Sequence, residues 1–392
     1  MEALFGLSSP APIGHGSQNT DGGCAAAVTA AEDRHMAEQA TTTRGTIVLS
    51  GFFGRGNCGD EAILQAQYER LSPHYDLIIS VDQYGAHDGL WNWYPYDRCP
   101  IVHQGNLGCV TDENVVAVHV GGGGLPHGFN AAQVIHARSH GTPAFLTGVD
   151  AKPVSAPAAT AALRGYLALF DFISVRSVSS HQLMTPLTPG CHLGADWAVA
   201  LPTDGPLPVA RTNRVLITLR EFPRELLSSA YCRGIAELVS RLADRHDQIA
   251  LLPCCPEDER FLDWVPAVEH LPREVHWWNP RRVQREIAAA TAVVSVGRLH
   301  PLIFAANVGT PAVFVEPLPG EPRWPQATKA SQLCSEHGWP FFANSEDLLS
   351  HFEQRRLLLP LAFSRDTQTR WEEMAQQIED CCPQPPPIAG SR

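Results

Sequence analysis

With 392 residues, 44% of them hydrophobic and 18% charged, the chain has the composition of a folded protein long enough for two domains. Its formal net charge of −12 excludes a general nucleic-acid binder, which needs a basic face, but leaves room for a small anion held by a few arginines. Eleven cysteines, with adjacent pairs at Cys254–Cys255 and Cys381–Cys382 but no CxxC pair or Cys/His ligand spacing, argue against a metal site and for reduced thiols in a cytoplasmic protein.

No positive region followed by an apolar stretch opens the chain, and no run reaches the length of a membrane span. Residues 1–43 and the segment "PQPPPIAGSR" (383–392) read as disordered tails. Between them apolar runs alternate with helical patterns. "GTIVLS" (45–50) is a strand, "GFFGRGNCG" a glycine loop, and "DEAILQAQYERL" (60–71) an amphipathic helix with Asp60 as its N-cap. Strands follow at 76–80, 114–120, 143–149 and 172–176, with a helix over 156–170 before the last. The proline- and glycine-rich stretch 202–212 reads as a linker. Beyond it come strands 214–220, 248–254, 274–278, 292–296 and 311–316, and helices 224–245, 257–271, 281–290 and 300–308. The pattern predicts an α/β protein with parallel sheets: two Rossmann-like domains, 44–201 and 213–366, facing a cleft. Helix 367–382 is expected to pack back on the first domain.

Ligands in such sheets sit beyond the carboxyl ends of the strands, so residues there are the site candidates. In "SGFFGRGNCGDEAIL", Gly54 and Gly56 lie between a strand and a helix, with Asn57 and Asp60 beside them. Glycines there let backbone N–H groups approach an anion or a sugar, and the absence of a Gly-Lys-Ser/Thr sequence rules out a Walker loop. A tight turn with no ligand is the competing reading. "HVGGGGLPHG" places Gly122, Gly123 and Gly124 after a buried strand, with His127 just beyond. Three apolar strands end in arginine, at Arg176, Arg220 and Arg298. Each buried guanidinium needs a carboxylate or an anionic ligand, and three at equivalent strand ends suggest an anion pocket. Gly297 precedes Arg298, and His300 opens a helix two residues later. "WNWYPY" (91–96) could line an acceptor site, whereas Trp277–Trp278 reads as core.

In order along the chain, "SGFFGRGNCGDEAIL", "GGGGL", "ISVRS", "GADWAVAL", "ITLR" and "GRLHPLIFAANVGTPAV" resemble the polysaccharide pyruvyltransferase family over about 45–316. The resemblance implies a GT-B-like pair of domains. It also implies transfer of a pyruvyl group from phosphoenolpyruvate to a sugar or glycoconjugate as a cyclic ketal, with no cofactor and no metal. Arg298, His300 and Arg176 would hold the donor, with Arg220 and Gly297 beside them. His300 would be the acid, His127 a base toward the sugar hydroxyl, and the glycine loops of the first domain would face the acceptor. The chain departs from the family pattern at Ser177, where aspartate is usual, and at "FVEPLPGEPRWP", which lacks the usual tyrosine and lysine. A nucleotide-sugar glycosyltransferase and a non-catalytic sugar-phosphate-binding module are the alternatives. Neither nucleic acid nor stable membrane insertion is expected, and no feature assigns an oligomeric state.

Overall fold

The structure, a computed structural model, describes residues 44–81, 99–125, 130–154, 156–203, 205–208, 210–318, 329–351 and 360–382. Both tails, the "WNWYPY" segment and His127 lie outside the described residues.

The first sheet contains β1 (Thr46–Gly51), β2 (Asp76–Val81), β3 (Ile101–His103), β4 (Val115–Gly121), β5 (Gly124–Leu125), β6 (Ala144–Ala151), β7 (Phe172–Val175) and β8 (Cys191–Leu193). Its order is β3-β2-β1-β4-β6-β7-β8, with β5 paired to β6, and its pairings are parallel. The second sheet contains β9 (Thr212–Leu219), β10 (Gln248–Leu251), β11 (Ala290–Val296), β12 (Ala312–Val315) and β13 (Phe341–Phe342), ordered β10-β9-β11-β12-β13 and again parallel. Helices α1 (Cys58–Leu71), α2 (Ala131–Ser139), α3 (Pro157–Leu167) and α4 (Val178–Met184) belong to the first half of the chain. Helices α5 (Ser229–Ala243), α6 (Pro256–Leu262), α7 (Pro280–Ala289), α8 (His300–Val308), α9 (Lys329–His337), α10 (Ser345–His351) and α11 (Arg365–Cys381) belong to the second.

The strands are Val/Ile/Leu-rich because helices cover both faces of each sheet, so nearly every residue of β11 is buried. Helix α5 shows the amphipathic alternative: Ile235, Leu238, Val239 and Leu242 form its buried stripe, and the Ser228 hydroxyl caps its start. Helix α8 is apolar on almost every side and stops at Gly309, whose φ of 66° suits glycine. One hydrophobic cluster runs from Ile47 and Leu49 of β1 through Ile63 of α1 to Leu302 and Phe304 of α8 and Phe314 of β12. The two halves therefore share a core behind the cleft. Helix α11 crosses back to the first sheet: Arg70 Nε lies 2.5 Å from Glu379, and Trp371 meets Trp197 edge-on at 5.8 Å. Among the described residues no helix is long and apolar enough to cross a membrane.

Several elements differ from the sequence expectation. The helix expected over 224–245 is a 3-10 turn at Arg224–Leu226 followed by α5. The cap of α1 is Asn57, whose side chain accepts from Gly59 N at 3.2 Å, and Asp60 lies inside the first turn. Residues 274–278 form no strand, because the chain leaves β10 after a single bridge at Arg273. There Trp277 turns toward the glycine loop instead, and its Nε1 donates to Glu259 at 3.1 Å. The helix expected over 257–271 ends at Leu262, and a short 3-10 turn at Pro266–Val268 follows.

A buried histidine gives the fold a pH signature. The Thr147 hydroxyl accepts from Trp197 Nε1 at 2.8 Å and hydrogen-bonds His119 Nε2, 2.5 Å away. Burial pushes the His119 pKa down to about 3, so the unfolded chain takes up this proton first. The stability it lends is complete above the unfolded value of about 6.5 and is lost progressively as pH falls toward the folded one. Wild type should lose about 2 kcal/mol more than His119→Asn between pH 7 and pH 5, read by urea unfolding.

Candidate active site

Chain order reverses between β1 and β4 in the first sheet and between β9 and β11 in the second. Such switch points leave a crevice at the strand ends. Here both open onto one cavity of about 250 Å³. The first half contributes Phe52 and Asn57 after β1, Gly123 and Gly124 after β4, and Arg176 after β7. The second contributes Arg220 after β9 and Gly297, Arg298 and His300 after β11. Most of the residues singled out in the sequence thus meet around one space, with Asp60 and Lys152 also in the wall.

Each arginine has a different setting. Arg176 is 7% exposed, and its Nε donates to Asp150 at 2.8 Å. Its two Nη atoms pair with Asp150 and Asp196, so it is held by two carboxylates rather than left to a ligand. Arg298 Nε donates to Asp258 at 2.7 Å, and Nη2 binds Asp258 and, at 2.8 Å, the Cys255 sulfur. Asp258 is fully buried and also accepts from the backbone N–H groups of Glu221 and Cys254. Burial works against the Arg298 charge, but Asp258 outweighs it and holds the guanidinium protonated. Arg220 is the unfavourable one: burial first, and the like charge of Arg298 second, push its pKa down to about 10. Gly297, with φ 81°, packs against it, since a Cβ there would stand 3.0 Å from Arg220 Cβ.

His300 begins α8 and lies 14% exposed, its Nε2 3.6 Å from Asp196. Asp196 therefore stands between Arg176 and His300, its other oxygen accepting from Ala198 N at 2.8 Å. Burial pushes the Asp196 carboxyl up, but Arg176 outweighs it and holds the group below the usual carboxylate range. Asp150, Asp196 and Asp258 were not singled out in the sequence, although Asp196 lies inside the "GADWAVAL" motif. Lone aspartates near strand ends carry no spacing signal of their own. Ser177, the family departure, caps α4, accepting from Ser180 N at 3.2 Å, and its hydroxyl donates toward Asp150 at 3.4 Å. A carboxylate in its place would face Asp150 directly.

The first glycine loop works differently from its expected role. The N–H groups of Gly54 and Gly56 donate to the buried Glu61 carboxylate at 3.0 and 3.2 Å, so they tie the loop to α1 instead of facing a ligand. Gly56, with φ 72°, lies against Trp277, whose ring would be 2.5 Å from an added Cβ. In the second loop Gly122 and Gly123 take φ values of 74° and 72° and carry the chain past Ile63 to the cavity wall at Gly124. Away from the cavity, Glu274, His276 and Glu286 come together, but Arg214 already binds both carboxylates at 2.8 and 2.6 Å.

Gly59 sets the position of His300. A Cβ at Gly59 would lie 1.9 Å from the ring Nδ1, so alanine must displace the imidazole. Helix propensity favours Gly59→Ala by up to about 1 kcal/mol. The variant is expected to keep its Tm while losing activity as a His300 variant does; equal activity would show that the ring position is not needed.

Two facing α/β halves whose strand ends enclose a common cleft define a protein of the GT-B-like class. Its similarity extends to Staphylococcus aureus MnaA solved with UDP (TM-score 0.53, 10% identity, 86% of this chain and 95% of that one) and UDP-GlcNAc 2-epimerase from Methanocaldococcus jannaschii (0.53, 10%, 85% and 99%). UDP-GlcNAc 2-epimerase from Neisseria meningitidis bound to UDP-GlcNAc is similar at 0.51 and 12% identity, over 84% of this chain and 94% of that one. No functionally curated protein matches the sequence significantly. The polysaccharide pyruvyl transferase profile matches residues 57–318, and the chain belongs to that family of transferases.

Proposed function

We propose that the protein moves the pyruvyl group of phosphoenolpyruvate onto two hydroxyls of a sugar or glycoconjugate as a cyclic ketal, releasing phosphate. The observation that carries this reading is the meeting of Arg220, Arg298 and Lys152 around one cavity at both switch points. Such a cluster of cations suits an anionic donor, and phosphoenolpyruvate brings a carboxylate and a phosphate. Further donors come from the backbone N–H groups of Gly123 and Gly124 in the same wall. Arg176, engaged by Asp150 and Asp196, acts in this account as the anchor that holds Asp196 against His300, not as a direct clamp.

His300 delivers a proton to the methylene carbon of the donor. The adjacent carbon becomes electrophilic and is attacked by one sugar hydroxyl; a second hydroxyl displaces phosphate and closes the ketal. One hydroxyl proton restores His300, the other leaves with phosphate, and atoms and charges balance without redox chemistry. His300→Gln is expected to lower kcat by about 10²–10⁴-fold, the usual worth of a general acid, with Tm held. Donor binding is tested by thermal shift with phosphoenolpyruvate, pyruvate, phosphate and UDP-sugars. The proposal expects the largest rise from phosphoenolpyruvate; a rise from UDP-sugars alone would point to a glycosyltransferase instead.

A further inference from the structure

A second cavity, of about 430 Å³, opens on the second sheet beside the first. Leu226 and Tyr231 line it from the α5 side, Val296 from the end of β11, Glu316 and Pro317 from the segment after β12, and Glu346 from α10. Its volume falls within the roughly 300–1,000 Å³ of small-molecule sites. The wall between the two cavities is thin. Val296 of the second precedes Gly297 of the first, and a Cβ on Gly297 would lie 2.9 Å from Pro317 and 3.0 Å from Arg220.

We infer that this cavity binds an uncharged sugar ring of the acceptor, next to the ring that receives the pyruvyl group. The inference rests on the pyruvyl-transfer reading. Among the described residues that line it there is no lysine or arginine, while two glutamates are present, so its chemistry opposes phosphates and carboxylates and suits hydroxyl donors. Leu226, Tyr231 and Pro317 add the apolar surface that the C–H face of a sugar packs against. Glu316, Pro317 and Leu318 are also where the chain leaves the family pattern, so the departure falls on the cavity wall and sets which neighbouring sugar this enzyme accepts.

The test uses the full chain and measures binding of lactose, cellobiose, maltose and N-acetyllactosamine against the corresponding methyl monosaccharides. At least one disaccharide is expected to bind about ten-fold or more tighter than its monosaccharide, a gain of about 1.4 kcal/mol. Glu346→Gln and the cavity-filling Leu226→Trp should each reduce that preference while the phosphoenolpyruvate thermal shift stays. Equal binding of mono- and disaccharides, or a preference that survives Leu226→Trp, overturns the inference. So does UDP binding that Leu226→Trp abolishes, since the cavity would then hold a nucleoside. A missing phosphoenolpyruvate shift beside an intact disaccharide preference would instead remove the donor reading and leave the sugar cavity standing.

Discussion

Arg176→Met is expected to destabilise the fold by about 3–5 kcal/mol, the cost of leaving buried charges without their partner. Asp150 and Asp196 are both 4% exposed, and the guanidinium binds both. The pH dependence gives the sign. In the native protein Arg176 holds the Asp196 carboxyl below its usual range, so this stabilisation is present above the unfolded value of about 3.9 and is lost as pH falls through the folded one. Without Arg176, burial is opposed only by His300 and the Ala198 N–H, and the carboxyl rises. The variant's deficit should then be largest near pH 7 and shrink toward pH 4, and adding Asp196→Asn should recover part of it. Urea unfolding at several pH values checks this. A loss below about 1 kcal/mol, typical of an exposed pair, would show that the network is solvated.

Arg220→Gln is expected to separate binding from stability. The Arg220 charge is disfavoured by burial and by Arg298, so its removal relieves a penalty that offsets whatever bonds the side chain makes. Tm should therefore fall far less than in Arg176→Met. Phosphoenolpyruvate affinity should drop by about 10–100-fold, since a hydrogen bond to a charged group contributes about 1.5–3 kcal/mol. Calorimetric titration beside a thermal scan reads both. Unchanged affinity would exclude Arg220 from the donor site.

The βα alternation was legible because buried parallel strands must be apolar on both faces, and a helix such as 300–308 has the same bounds in sequence and structure. Residues 274–278 read as a strand because two tryptophans look like β-sheet residues, but Trp277 packs on Gly56 through tertiary contact. In the site, arginines at strand ends stood out because a charge ending an apolar run needs an explanation. Their division of labour did not, since Asp150, Asp196 and Asp258 arrive from separate elements and only folding decides which arginine they neutralise. The role of Gly54 and Gly56 was hidden for the same reason: Glu61 on the adjoining helix satisfies their N–H groups.

A cavity that converts phosphoenolpyruvate and a sugar into a ketal must release phosphate and modify the acceptor together. Incubating the protein with phosphoenolpyruvate and a panel of sugar and glycoconjugate acceptors, and following phosphate together with acceptor mass, tests this most directly. Phosphate is expected in equal amount to an acceptor heavier by pyruvate less water, with both lost in His300→Gln. Acceptor-independent phosphate release, or full turnover by His300→Gln, would contradict it.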